Sequence, residues 1–370
     1  MKAALEALGS IKLAVIGMIL LMLVVTACTL AEVRLGVYGA VEAWIRTFLV
    51  WGRVPGTALR LPVFPGGGLI GALLIVNLTA SLLTRHRLEW RRCGLILTHL
   101  GVMVLVAGEF STAFWARESL LSVEVGHSRN WAEIPRRFEF AVEEAGKPVT
   151  AIPSTMLGDG AVVANARLPV EFRVLRHSRN ARLEMRRSTP SDELVATAGA
   201  GRKLYAVELP PVAGDDEDNA PAAFVEAVEG AKRRGIWLLS TALGPQLLEA
   251  KGRRLEVSLR PERAPLPFTI TLKQFRHDVY PGTDIARNFS SLVRLSDPGR
   301  REDRDVLVWM NHPLRYRGLT LYQSSYGKGD TLSVFQVVRN PGWTLPYLAC
   351  ILVTIGLAWH FLLMLGRREP

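Results

Sequence analysis

The chain has 370 residues, 49% of them hydrophobic and 21% charged, and its apolar residues are gathered into a few long uninterrupted runs. That excludes a disordered or fibrous chain and points away from an ordinary soluble enzyme. Its 45 Lys and Arg against 34 Asp and Glu give a formal net charge of +11; in a chain with membrane-length apolar runs, basic residues set orientation in the bilayer, and nucleic-acid binding is not expected.

Four segments are free of charge over, or close to, the roughly 17–25 residues that a spanning helix needs: Leu13 to Leu30, Leu61 to Thr84, Cys93 to Gly108 and Pro341 to Gly366. They predict an N-terminal membrane domain over 1–114, with transmembrane helices at about 11–31, 66–84 and 93–112, and a final spanning helix with a short tail over 341–370. The first is expected to be a retained anchor, because its apolar core exceeds the roughly 7–15 residues of a signal peptide and no A-x-A-like site follows. Between the first two, Val37, Val41, Trp44, Phe48 and Trp51 recur at spacings of three and four, with Glu42 and Arg46 opposite. That spacing predicts a helix over about 36–52 lying in the membrane interface, although a helix packed on an outer domain would give the same pattern. Gly66, Gly68 and Gly71 formally match G-x-G-x-x-G, but prolines rather than a strand precede them and position 91 is Arg. The dinucleotide reading fails, and Gly67 and Gly71 are read as small residues that let another helix approach.

Arg85 to Arg92, Arg367 and Arg368, and Lys2 and Lys12 are three basic clusters that agree on one topology. Both termini are expected in the cytoplasm, and residues 115–340 on the outer face of a bacterial cytoplasmic membrane. The cysteines, Cys28, Cys93 and Cys350, lie in or beside spans, so this outer domain has no disulfide, C-x-x-C or cysteine metal site. Phe268 to Phe275, Ser291 to Leu295, Val306 to Met310, Leu319 to Gln323 and Leu332 to Val338 are β-branched and aromatic runs punctuated by Pro and Gly. They predict a large antiparallel, sandwich-like β domain. Asp215 to Asp218 reads as a solvated linker, and Pro221 to Arg234 as a surface helix.

Ionisable side chains within a bilayer are functional candidates, and the spans hold two, His99 and His360, each seven residues from a basic cluster and hence expected at the same depth. A neutral imidazole there suits axial ligation of a haem iron; the competing reading of His99 is a ring bonded to a neighbouring carbonyl or hydroxyl such as that of Thr98, and His360 is the weaker candidate. Gly94, Gly101 and Gly108 repeat every seven residues along one face while His99 projects about 200° from Gly101. One face of this span is therefore for packing and the other is available to a ligand. The remaining histidines, His86, His127, His177, His277 and His312, are single, and no zinc, nucleophile-elbow, Walker A or kinase pattern occurs.

One stretch goes further: VWMNHPLRYRGLTLYQSSYG from Val308 to Gly327, preceded by LKQFRHDVYPGTDIARNFSS from Leu272 to Ser291. Through Tyr280, Pro281, Phe289, Ser291, Asn311, Pro313, Leu314, Gly318 and the Tyr322 to Tyr326 run it resembles the ResB family, also called CcsB, of system II cytochrome c biogenesis. The resemblance extends to the order of three spans, β domain and last span; residues 145 to 260 match nothing recognisable. It implies a subunit that works with a CcsA (ResC) membrane partner to receive haem, export it, and join it to the C-x-x-C-H cysteines of apocytochrome c. By position it makes His99 the haem ligand of the third span, and it does nothing for His360. The Trp-rich haem-handling motif and outer histidine pair of the CcsA half are absent, so the chain is expected to be a lyase subunit that is not catalytic alone. Asn311, Tyr322, Gln323 and Tyr326 are candidates for substrate or partner contact, or else β structure leading to the membrane. The contrasting functional class is a membrane-tethered outer binding or sensor module without haem chemistry; a third reading, a b-type redox subunit, needs His99 and His360 to face one another.

Overall fold

The computed structural model describes all residues except 1, 55, 58, 86–88, 187–193, 213–217, 284–285 and 366–370. His86, Arg87, Arg367, Arg368 and the acidic residues 215–217 therefore lie outside the described residues. The chain divides into two compact units, one built chiefly from Met1–Arg117 and Arg339–Pro370, the other from Glu118–Val212 and Glu217–Val338.

The first unit is helical: α1 (Lys2–Leu8), α2 (Ile11–Ala40), α3 (Gly67–Arg85), α4 (Cys93–Trp115) and α5 (Leu345–Leu365), with a hairpin of β1 (Leu49–Arg53) and β2 (Arg60–Pro65). Among the described residues, four helical segments are long and apolar enough to cross a membrane. The first is interrupted twice. Gly9 and Ser10 separate α1 from α2, with the Ser10 hydroxyl accepting from the Lys12 amide at 3.2 Å as an N-cap. Asn77 of α3, almost fully buried, donates to the carbonyls of Leu8 and Ser10 at 2.5 and 3.0 Å and so satisfies the break. At Gly36, φ is 67° and ψ 168°, values open to glycine alone at no steric cost, and the helix bends there before ending in a π-helical turn over Val41–Ile45.

The helix expected over 36–52 is accordingly corrected. Helix continues only to Ile45, and Leu49–Arg53 pairs antiparallel with Arg60–Pro65. Aromatic residues at 44, 48 and 51 fit one helical face, but Leu49, Val50 and Trp51 also favour a strand, and the partner run Leu61 to Phe64 decides between the two.

The seven-residue glycine spacing of α4 has the consequence expected of it. Gly94, Gly101 and Gly108 are buried against α5: a Cβ at Gly101 would lie 2.9 Å from the Ala349 carbonyl oxygen, and one at Gly94 2.7 Å from the His360 amide nitrogen. The two backbones touch, an approach that only glycine permits. Gly71 likewise meets Phe110 of α4, whereas Gly67 abuts the Ile45 backbone.

The second unit is all β: β3 (Arg117–Glu124), β4 (Ser128–Glu144), β5 (Lys147–Pro153), β6 (Val162–Val163), β7 (Glu171–Ser178), β8 (Ala181–Met185), β9 (Leu204–Glu208), β10 (Ala222–Glu229), β11 (Lys232–Ser240), β12 (Gln246–Ala250), β13 (Arg253–Val279), β14 (Ala286–Asp297), β15 (Glu302–Trp309), β16 (Leu314–Tyr316), β17 (Leu319–Gly327) and β18 (Leu332–Arg339). Two long strands, β4 and β13, run through both halves of it. In one half they pack, with β5 and β12, against the sheet β11-β10-β7-β6, burying Phe140, Val142, Phe172, Val225, Leu239, Leu255 and Val257 as a sandwich. In the other the order β15-β14-β13-β4-β3-β18-β17-β16 curls until a bridge between Trp309 and His312 joins its ends. Every one of these eight strands contributes to a single core that includes Leu121, Ile270, Leu272, Val293, Val308, Leu321 and Phe335, so this half is a barrel rather than a sandwich. Pairing of β13 with β4 shifts register at Pro261 and again after Pro265, where the long strands pass from one half to the other.

The surface helix expected over Pro221 to Arg234 is also corrected: Ala222–Glu229 and Lys232–Ser240 form a hairpin around Gly230. Ala and Glu favour helix, but β10 is a central strand covered on both faces, with Ala223, Val225 and Ala227 in one core and Ala222 and Phe224 in another. Tertiary burial overrides propensity here.

Candidate functional site

The two histidines of the long apolar helices occupy different surroundings. His99 Nδ1 lies 2.8 Å from the Leu95 carbonyl, one turn back on α4. A carbonyl only accepts, so Nδ1 donates; in this tautomer the neutral ring has its lone pair on Nε2, the arrangement that a metal-ligating imidazole uses. At about 100° per residue His99 lies roughly 160° from the glycine face and within about 20° of Phe110, so it shares the side of α4 on which Phe110 meets Gly71 of α3. His360 lies on α5 where the helix pair is tightest, its amide against Gly94. Next to it the Trp359 indole donates to the Trp90 carbonyl at 3.2 Å, with the two rings edge to face at 4.4 Å.

The expectation of equal depth is corrected by the same contacts. Thr98 stands against Gly356 and Gly94 against His360, so His99 and His360 are offset by about a helical turn along the pair. Counting back from the terminal arginines misjudged the offset of two antiparallel helices. The two imidazoles are not brought face to face.

In the barrel half the four other candidate residues are dispersed, each for a local reason. Asn311 has φ 64°, the left-handed conformation Asn tolerates, in the tight turn between Trp309 and His312. Arg317 and Gly318, both at positive φ, make the two-residue turn between β16 and β17. Tyr322 is exposed on the outer face. Gln323 points inward: its amide oxygen accepts from Ser291 at 2.6 Å and its amide nitrogen donates to Ser333 at 2.8 Å, while both serines, fully buried, bond one another at 2.8 Å. Side chains thus tie β14 to the paired strands β17 and β18. The register of β17 shifts between Gln323 and Ser325, and that bulge lets Tyr326, three residues on, face inward as well. Tyr326 packs on Phe275, His277 and Phe289 at ring distances of 5.3, 5.0 and 5.7 Å. At the opposite end of the barrel, Asp297 accepts from Tyr316 and Arg317, both at 3.0 Å. Burial acts to raise the Asp297 pKa, but these hydrogen bonds outweigh it and hold the carboxylate below its ordinary range.

The family match falls largely on this half. Residues 247–334 are ResB-like. The chain is also 29% identical over 131 residues to Protein NrfI of Wolinella succinogenes, and 37% over 97 and 35% over 108 residues to proteins named cytochrome c biogenesis protein CcsB from two Synechococcus strains. These alignments take in 35, 26 and 28% of this chain and 14, 21 and 24% of the respective relatives, so only a minor part of each relative is spanned. The resemblance read from Tyr280 to Tyr326 is thereby borne out. The ResB-like segment runs from β12 into β18 and takes in every barrel strand except β3 and β4.

Two groups escaped the sequence reading. Asn77 is an uncharged polar residue in an apolar run, and a search restricted to ionisable residues passes over it. His277 reads as single because its partner, Asp330, is distant in sequence; His277 Nδ1 lies 2.9 Å from the Asp330 carboxylate.

Proposed function

We propose that this chain is the ResB-type subunit of a system II cytochrome c synthase, working with a CcsA/ResC-type membrane protein to move haem across the bacterial cytoplasmic membrane and attach it to the C-x-x-C-H motif of apocytochrome c. The ResB-like segment and the relatives named for cytochrome c biogenesis support the biosynthetic role. The observation that carries the haem reading is the bond from His99 Nδ1 to the Leu95 carbonyl, which makes Nε2 the ring nitrogen that would meet the iron. Haem is the cargo in this reading. His99 holds its iron from α4, and the face of α4 opposite α5 shelters the apolar porphyrin plane, with a second axial ligand from the partner. The β unit stands outside the membrane, presents apocytochrome and braces the partner; having no cysteine, it leaves thiol chemistry to the substrate.

The test is the absorption spectrum and haem content of the detergent-purified chain co-expressed with a CcsA-type partner, as wild type, His99→Ala and His360→Ala. A six-coordinate spectrum lost in His99→Ala and retained in His360→Ala is expected. Haem-free protein in all three would sink the proposal and leave the tethered outer-module reading; equal loss in both variants would replace it with a bis-histidine centre.

A further inference from the structure

We infer that His277 is a second haem-iron ligand, an imidazole presented where β13 leaves the barrel toward the Tyr280–Pro281 turn, and that Asp330 positions it. The inference rests on the haem-handling reading above, and extends it from the membrane to the β unit.

Three observations carry it. The first is the dyad: with Nδ1 2.9 Å from the Asp330 carboxylate, His277 is oriented with its second ring nitrogen as the ligating atom, the same device by which carboxylates orient metal-bound histidines. The second is how Asp330 gets there. Lys328, Gly329 and Asp330 take φ of 50°, 58° and 67° in succession, two of them non-glycine residues in the left-handed region. Such backbone costs energy and persists only where the surroundings enforce it. An ion pair from Lys328 to Glu124 and a 2.8 Å bond from the Thr331 hydroxyl to the Lys328 carbonyl hold the turn. The third is the setting. Tyr326 stacks on the imidazole with an interplanar angle of 24°, and Phe275 lies 6.4 Å from it on the other strand position of the same face. His277 itself keeps 20% of its side chain exposed, and Val279 and Tyr280, 42 and 51% exposed, continue an apolar surface beside it.

This set suits a metalloporphyrin and not a bare cation. Among the described residues no three His, Cys, Asp or Glu side chains gather as a metal site, and one imidazole whose other nitrogen is held by a carboxylate is too few ligands for zinc or another free ion. A porphyrin supplies four nitrogens of its own, needs one protein ligand, and presents an apolar plane to the aromatic and aliphatic rim.

The test uses the full-length chain in detergent, titrated with hemin, every arm carrying His99→Ala so that the membrane site is silent. The expected result is an imidazole-ligated Soret band saturating near one equivalent, lost with at least about a tenfold weaker affinity in His277→Ala and restored by free imidazole in His277→Gly. Asp330→Asn leaves the ring in place and should keep the band but weaken hemin several-fold. Identical titrations for the parent, His277→Ala and Asp330→Asn, as hemin dissolved in micelles would give, overturn the inference; an unchanged Asp330→Asn titration beside a lost His277→Ala band overturns the role of Asp330. Because His99 is absent throughout, failure here says nothing against the membrane ligand, and failure of His99→Ala to remove haem from the co-expressed complex says nothing against His277.

Discussion

The two halves of the β unit share β4 and β13 but hold themselves together differently. In the sandwich half the facing side chains are Val, Ala, Leu and Phe, and its buried Gln246 bonds only to backbone, to the Ala200 amide and the Leu238 carbonyl. In the barrel half, side chains on separate strands bond one another: Ser291, Gln323 and Ser333 at one level, Asp297 with Tyr316 and Arg317 at another. An apolar core accepts many sequences of the right volume, whereas a buried polar network needs each member. The ResB-like segment coincides with the barrel strands that carry these networks, and its recognisable motif includes Ser291 and Gln323 of the first network and the turn residues Asn311 and Gly318.

The largest effect is expected where the halves meet. Arg260 pairs with Glu139 and Glu143 at 3.0 and 2.7 Å, and Arg263 with Glu143 at 2.9 Å, all but Arg263 nearly buried. Glu143→Ala takes the carboxylate from Arg263 and leaves Arg260 with Glu139 alone, and should cost about 3–5 kcal/mol, read as a fall in the thermal unfolding midpoint of the purified chain; a midpoint unmoved would mean the cluster is solvated. Next, Gln323→Leu removes the bridge from Ser291 and Ser333 and should cost about 1–3 kcal/mol, while the volume-conserving Leu255→Met in the sandwich core should stay below about 1.5 kcal/mol. Equal costs would erase the distinction between the halves. Smaller again is Asn311→Ala, about 1 kcal/mol for the left-handed backbone at φ 64°, with Asn311→Gly close to neutral; if both are neutral, the turn does not constrain the barrel.

What could be read from the sequence follows the range of the interaction involved. Charge-free runs and the spacing of Gly94, Gly101 and Gly108 are local and gave the helices and the α4–α5 contact directly. The strand at Ala222–Glu229 was misread because its neighbours, β7 and β11, and not its own residues, make it a strand. The hairpin at Leu49–Arg53 shows the same failure, since an aromatic period of three and four also fits residues on a twisted ribbon. His99 was legible because a histidine in an apolar run is conspicuous; its tautomer was not, as that depends on the Leu95 carbonyl one turn away. The inward turn of both Gln323 and Tyr326 rests on a bulge that no alternation pattern announces.

The finest comparison is between two carboxylates whose pKa values are both held down, one in each half. Hydrogen bonds from Arg253 to Glu144, at 2.7 and 2.8 Å, lower that group at the open edge of the sandwich, while Asp297, 3% exposed, is lowered against the pull of its burial. For each, the folded pKa lies below the unfolded one. Its stabilisation is present at neutral pH, and is lost as pH falls below the ordinary carboxylate range and through the folded value. Asp297→Asn and Glu144→Gln should therefore each flatten the acid limb of the unfolding midpoint against pH without steepening it near neutrality. Salt separates them: raising ionic strength to about 1 M shortens the screening length to roughly 3 Å and should abolish the effect of Glu144→Gln, exposed as that pair is, while leaving that of Asp297→Asn. If salt removes both, water reaches Asp297 and the barrel interior is not the dry, fully paired network that sets it apart from the sandwich.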